Sequence, residues 1–198
     1  MFRRGSSSAV LKVEIYLDLT CSDCQEIWPT MMEVVGEYGD RVEFLFRLFP
    51  LPYHQNAFIA AQAAQVVYAH SCSDEEVESF VQLVFDHQED VLNDATVGLT
   101  PPEIEALFAP WAMSATVGMT SDEYLRGMAD STLNLKARNE FKYACLHQVY
   151  GTPTVLLGGV RVETLESSNA SQQVWKSILD ELLKPEGRQW EEGGWIWP

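Results

Sequence analysis

The feature that most constrains how this chain can fold is Cys21-Ser22-Asp23-Cys24. It stands between a strand-like run, Val13-Glu14-Ile15-Tyr16-Leu17-Asp18-Leu19, and a helix-like run from Gln25 to Val35. Two cysteines at this spacing at a helix start can close a small disulfide. The first thiol then lies at the positive end of the helix dipole, which favours its thiolate, the reactive form. The placement therefore suggests redox chemistry rather than packing. The same pair also reads as half of a zinc site or as two inert cysteines. A zinc site needs four ligands, usually with a second close pair. Cys72 and Cys145 are isolated, and only Cys145-Leu146-His147 resembles a partner. The strand–motif–helix context favours the redox reading.

The rest of the chain alternates in period. Leu11 to Leu19 reads as a buried strand, and Cys24 to Tyr38 as a helix with Ile27, Met31, Val34 and Val35 at core spacing. Pro29 should kink that helix, because it removes a donor and crowds the turn before it. Arg41 to Phe49 reads as a second strand, with Val42, Phe44, Phe46 and Leu48 alternating, closed by Pro50 and Pro52. His54 to His70 is an Ala-rich helix. Ser73-Asp74-Glu75-Glu76, Thr100-Pro101-Pro102-Glu103 and Thr120-Ser121-Asp122-Glu123 are capping boxes that open further helices. Leu133 to Val149 reads as another helix. Val155 to Val162 reads as two strands joined by a Gly158-Gly159 turn, and Ser171 to Lys184 as an amphipathic helix with Val174, Trp175, Ile178, Leu179 and Leu182 on one side. The order points to a single α/β domain over 1–198 with a helical insertion at about 70–142, rather than two successive domains.

Composition narrows the function classes. Hydrophobic residues are 46% and charged residues 21% of the 198, which supports a sizeable core. The formal charge of −16 argues against nucleic acid and anionic membranes, both of which need a positive patch. No apolar run is long enough for a transmembrane helix. Met1 to Ser8 is basic but has no apolar segment of secretory type, and Ser6 to Ser8 reads as a flexible leader. The chain is compatible with a cytosolic or organellar protein, or with a secreted one whose leader was removed. The tail from Pro185 to Pro198 carries Trp190, Trp195 and Trp197, which are expected to pack on something. Asn169-Ala170-Ser171 matches a glycosylation acceptor, a motif frequent by chance.

Cys-x-x-Cys, Pro29 five residues beyond, and Gly151-Thr152-Pro153-Thr154 before a strand together resemble the thioredoxin superfamily. The helical block, and Leu48-Phe49-Pro50-Leu51-Pro52-Tyr53-His54 running into an Ala-rich helix, resemble its DsbA-like branch over residues 10–184. The resemblance implies a thioredoxin-like fold and a thiol–disulfide oxidoreductase or isomerase acting on protein or peptide thiols and disulfides. It implies that Cys21 is the nucleophile and Cys24 the resolving thiol, and that Thr152-Pro153 is a cis pair facing them and binding substrate backbone. Glutathione or a redox partner protein is a further possible partner. No cofactor or metal is expected.

Ser22 and Asp23 are the tuning positions. The strongly oxidising members that this chain resembles carry His before the second Cys. A carboxylate near Cys21 opposes its thiolate, so Asp23 points to a milder couple. The family often places a buried acid six residues before the first Cys, but here that position is Ile15. Glu14 and Asp18 lie nearby, turned to the other side by strand alternation, leaving Asp18 or solvent as the proton route. Cys72 and Cys145 read as small buried apolar residues, with a structural disulfide or a regulatory thiol at Cys145 as alternatives. His54, His70, His87 and His147 read as helix-surface or capping residues. Trp28 and the prolines near 50 could add apolar surface for substrate, although large apolar residues are usually buried. Two other readings share the fold: a kappa-class glutathione transferase, in which a Ser-type residue usually replaces the Cys pair, and a non-catalytic binding module.

Overall fold

A computed structural model describes residues 1–167 and 170–184. The glycosylation motif at Asn169 and the tryptophans at 190, 195 and 197 lie outside the described residues. The elements are β1 (Phe2–Gly5), β2 (Leu11–Leu17), α1 (Ser22–Tyr38), β3 (Val42–Leu48), α2 (Ala57–Ser71), α3 (Asp74–Asp86), α4 (Pro101–Leu107), α5 (Ala109–Ala115), α6 (Ser121–Met128), α7 (Ser131–Leu146), β4 (Thr154–Leu157), β5 (Val160–Arg161) and α8 (Gln172–Leu183). One-turn 3-10 segments sit at Gln88–Val91 and Glu163–Leu165. The expected order of strand, helix, strand, helices, hairpin and helix is all present.

The strands form a sheet in the order β1-β3-β2-β4-β5. β2 and β3 run parallel and the other neighbours antiparallel. Val13, Ile15 and Leu17 of β2 point to one face, where they pack with Phe44, Phe46, Val155 and Leu157 against α1, α8 and the helices that follow α2. Tyr16 points to the other face and packs with Phe49, Leu156 and the α7 residues Phe141 and Ala144, with the Phe49 and Phe141 rings stacked at 5.0 Å. The period of two along β2 thus separates two apolar clusters. Gly158 and Gly159 both take positive φ, as a two-residue hairpin turn of the primed type requires.

Three expectations need correction. Phe2 to Gly5, for which no strand was expected, form an edge strand on β3, and Phe2 is buried with its ring stacked on Phe46 at 4.8 Å. Four residues with one large apolar side chain carry no periodic signal; pairing with β3 supplies it. Of the three capping boxes, those at Thr100 and Thr120 close reciprocally. At Ser73 only half forms: Ser73 Oγ accepts from the Glu76 amide, but the Ser73 amide donates to Ser71 Oγ rather than to the Glu76 carboxylate. On α8, Trp175 and Leu179 are buried as expected, but Leu182 is half exposed at the helix end.

α2 is apolar nearly all round, with Ala60, Ala61, Ala63, Ala64, Val66 and Val67 buried, which marks the central helix of a helical layer. α1 continues through Pro29 as one helix.

Candidate active site

β2 ends at Leu17, and a tight turn closed by the Cys21 amide on the Asp18 carbonyl (3.1 Å) delivers the chain to α1. Cys21 is the N-cap of α1, in extended conformation, and Cys24 lies in the first turn. Both are free thiols; Cys24 is fully buried and Cys21 is 5% exposed. The antiparallel register of β4 on β2 sets Thr154 opposite Tyr16, near the C-terminal end of β2. This carries the preceding Thr152-Pro153 pair, joined by a cis peptide bond, to the start of α1. The Cys21 Sγ then lies 3.5 Å from the Thr152 carbonyl oxygen. Cys21, Cys24 and Thr152, separated by more than 120 residues in the chain, are thereby brought together.

The two thiols are pushed in opposite directions. Cys21 is pulled down to about 6 from the ordinary thiol value, chiefly by a hydrogen bond from Cys24. Burial opposes this, while the Thr152 side chain and the backbone amides of Cys24 and Asp23 assist. Cys24 is pushed well up, first by burial and then by its bond to Cys21 and by Cys21's charge. The outer thiol is thus prepared to be a thiolate while the inner one keeps its proton. Thr152 Oγ1 is buried with no settled partner, so a thiolate is the acceptor it can serve. Asp23 and Ser22 are exposed in the first turn. Asp23 acts on Cys21 through its amide, in favour of the thiolate, while its carboxylate projects into solvent.

Sequence reasoning missed the groups that hold this turn. Gln88, 3% exposed, donates its side-chain amide to the carbonyls of Leu19 and Cys21. Gln25 reaches the Phe85 carbonyl, and Trp28 Nε1 donates to Gln82 Oε1 at 2.7 Å. Trp28 is therefore a core residue tied to α3 rather than surface for a substrate. A glutamine alone carries no signal that it will bridge helices distant in sequence.

The acids and histidines also sort themselves. Ile15 is buried in the core. Glu14 is engaged on the α7 face, where Arg47 Nε donates to it at 2.7 Å. Asp18 is fully buried. Its Oδ1 accepts from the Thr20 amide and hydroxyl, and its Oδ2 accepts from the Leu51 amide and meets His54 Nδ1 at 2.8 Å. Its own amide donates to Cys24 Sγ at 3.4 Å. His54 is thus not a helix-surface residue: α2 begins only at Ala57, and His54 lies in the turn before it, folded onto Asp18. His70, His87 and His147 are exposed at or near helix ends. Cys72 and Cys145 are free and exposed, not buried, because each falls on the solvent side of a helix end. Among the described residues no group of three or more His, Cys, Asp and Glu side chains is placed to hold a metal ion.

A family profile described as thioredoxin matches residues 1–181, and the chain belongs to the thioredoxin family. No curated protein sequence matches. Among solved structures, a candidate protein-disulfide isomerase from Pseudomonas syringae superposes with a TM-score of 0.78 at 18% identity, covering 90% of this chain and 97% of that one. BdbD from Bacillus subtilis in its oxidised form gives 0.70 at 18%, covering 91% of each chain. The thiol–disulfide exchange protein alpha-DsbA2 from Wolbachia pipientis gives 0.66 at 17%, covering 91% and 86%. The fold is the DsbA-like form of the thioredoxin fold, with the helices α2 to α7 between β3 and β4.

Proposed function

We propose that the protein is a thiol–disulfide oxidoreductase that exchanges disulfides with protein or peptide substrates through Cys21 and Cys24. The observation that carries this reading is the opposed acidity of two adjacent thiols, one at a helix N-cap and one sealed beneath it. In the reducing direction the Cys21 thiolate attacks a substrate disulfide, forming a mixed disulfide and releasing one substrate sulfur as thiolate. Cys24 then loses its proton and attacks the Cys21 sulfur. The mixed disulfide breaks, the second substrate sulfur leaves, and the Cys21–Cys24 bond forms. The reverse sequence oxidises a substrate dithiol. Glutathione or a redox partner protein would return the pair to its starting state.

Thr152 and Pro153 bind the substrate backbone in this reading, by the strand-pairing mode that an extended peptide uses. The Thr152 carbonyl beside Cys21 supports it. A Cys21 acidity near about 6 supports a couple milder than DsbA, whose thiol titrates near about 3.5, against about 7 in thioredoxin. The intact dithiol sets the chain apart from the transferase reading. Among the described residues no helix is long and apolar enough to cross a membrane.

Insulin reduction and oxidation of a dithiol peptide test the proposal. Wild-type protein is expected to perform both, Cys21→Ser neither, and Cys24→Ser is expected to accumulate a mixed disulfide. Conjugation of glutathione to an electrophile that survives in Cys24→Ser would overturn it in favour of the transferase. A reduction potential near about −120 mV would overturn the milder couple.

A further inference from the structure

The prolines after β3 line a cavity of about 380 Å³ that opens between residues 50–58 and α7. It is at the small end of the range for binding clefts, about 300–1,000 Å³. Its floor is apolar. Leu51 is buried, and Phe58 and Phe141 are half-buried, with the Phe141 ring stacked on Phe49 at 5.0 Å. Arg138 and Lys142, one turn apart on α7, also line it and are exposed. Among the described residues neither cation meets a carboxylate. Glu140, between them in sequence, is taken by Arg47 at 3.2 Å, and among the described residues no acidic side chain lines the cavity.

One residue separates this cavity from the Cys pair. Leu51 donates its amide to Asp18 Oδ2 at 2.9 Å, and His54, also on the cavity wall, meets the same oxygen at 2.8 Å. Asp18 in turn accepts the Cys21 amide at its carbonyl, at 3.1 Å, and gives its own amide to Cys24 Sγ at 3.4 Å. The formal charge of −16 turns acidic segments away from the molecule as a whole, so two cations without carboxylates mark where one can settle. A large apolar side chain gains from the surface of Phe58 and Phe141. A carboxylate beside it gains from two charges that no group of this chain neutralises, and a guanidinium can grip it with two parallel hydrogen bonds.

We propose that this cavity is a docking subsite for the protein or peptide substrate. It takes a segment in which a large apolar side chain stands next to a carboxylate, a few residues from the cysteine that reacts. The proposal deepens the exchange reading and rests on it. An extended chain covers about 3.3–3.6 Å per residue, so four residues reach about 13–14 Å, long enough to pass one intervening residue. Phe58 and Phe141 receive the apolar side chain, and Arg138 and Lys142 hold the carboxylate. These four side chains bind the substrate and leave the sulfur chemistry to Cys21 and Cys24. Their loss therefore weakens binding and spares the rate of the bound complex.

The test uses the protein with Cys21 and Cys24 joined, and synthetic dithiol peptides that differ only at a pair of residues about four positions from a cysteine. The pair is Phe-Asp, Phe-Lys or Ala-Asp. Acid-quenched single turnovers give the limiting rate of peptide oxidation and the peptide concentration at half-maximal rate. For wild type the half-maximal concentration of the Phe-Asp peptide is expected to lie at least about five-fold below those of the other two, with limiting rates within about two-fold. The preference over Phe-Lys is expected to shrink in high salt. Arg138→Glu/Lys142→Glu is expected to reverse the order of Phe-Asp and Phe-Lys. Arg126→Glu/Lys136→Glu changes the net charge equally, at exposed residues that do not line the cavity, and is expected to keep the wild-type order. Equal half-maximal concentrations in wild type would overturn the subsite, and so would an unreversed order in Arg138→Glu/Lys142→Glu. Reversal by both double variants would overturn it too, in favour of bulk charge. If wild type oxidises none of the peptides, the exchange reading fails, and the subsite with it.

Discussion

Gln88 donates its side-chain amide to the carbonyl of Cys21 at 3.0 Å and to that of Leu19 at 2.9 Å. It comes from the 3-10 turn after α3, so a residue of the intervening helices clamps the turn that presents Cys21. Gln88→Ala removes the donor to the buried Leu19 carbonyl, while the Cys21 carbonyl keeps the Gln25 amide at 3.1 Å, and an unsatisfied buried group costs about 1–3 kcal/mol. The urea midpoint is expected to fall with the slope unchanged, and chemical-shift changes are expected to centre on Leu19 to Cys24.

The acidity of Cys21 predicts its reactivity with pH. In a Cys72→Ser/Cys145→Ser background, which removes the two exposed thiols, alkylation of the reduced protein by iodoacetamide should rise with a midpoint at about 6 and level off by neutral pH, with Cys21 the modified residue. The linkage runs in the same direction. The folded thiol lies below its ordinary value of 9.0, so Cys21 stabilises the reduced fold fully above pH 9, and that contribution is lost as pH falls through about 6. Cys24, raised above the same ordinary value, acts oppositely: its contribution is present below pH 9 and is lost at higher pH.

Thr152 carries a buried hydroxyl without a settled partner, and it favours the Cys21 thiolate. Thr152→Val is expected to raise the alkylation midpoint of Cys21, while Thr152→Ser keeps it near the wild-type value. An unchanged midpoint in Thr152→Val would show that backbone amides and Cys24 alone set the acidity.

Asp23→Asn removes a carboxylate from the first turn of α1. The Cys21 midpoint is expected to fall slightly, and the couple to become more oxidising. The side chain is exposed, so the effect should shrink in high salt. Titration at low and high ionic strength checks both points, and no fall at low salt sinks the argument for Asp23 as the moderating charge.

Two helical glycines separate propensity from packing. At Gly36, on the exposed side of α1, an added methyl meets nothing, so Gly36→Ala should stabilise by about 0.5–1 kcal/mol. At Gly127 in α6 the same methyl would sit 2.5 Å from Val66 Cγ1 of α2, so Gly127→Ala should destabilise by about 1–3 kcal/mol despite the better propensity. Thermal melts of the two variants are expected to move in opposite directions.

Much of the fold was legible because it is written in local periods and stops. Alternation gave β3, the Cys pair and first-turn Asp23 marked the start of α1, and Thr100 and Thr120 announced α4 and α6 with reciprocal caps. β1 was not legible, because a four-residue edge strand is specified by its partner. The paired cap at Ser73 was overestimated, because Ser71 Oγ takes the Ser73 amide that the Glu76 carboxylate would otherwise accept from, and only geometry chooses between them. Cys72 and Cys145 were misjudged because residue type records an average burial, not the side of the helix that a given position takes.

The sequence by itself determined that Cys21 and Cys24 stand at the start of a helix, since that placement depends on residues a turn apart. Only the tertiary structure decided what surrounds them. The β4–β2 register brings Thr152 to the sulfur, and the turn before α2 folds His54 onto Asp18. Gln88 crosses from the intervening helices to hold the Cys21 carbonyl. Contacts of this kind join residues dozens to more than a hundred positions apart. Nothing in the local pattern of a histidine, a threonine or a glutamine states which distant atom it will meet.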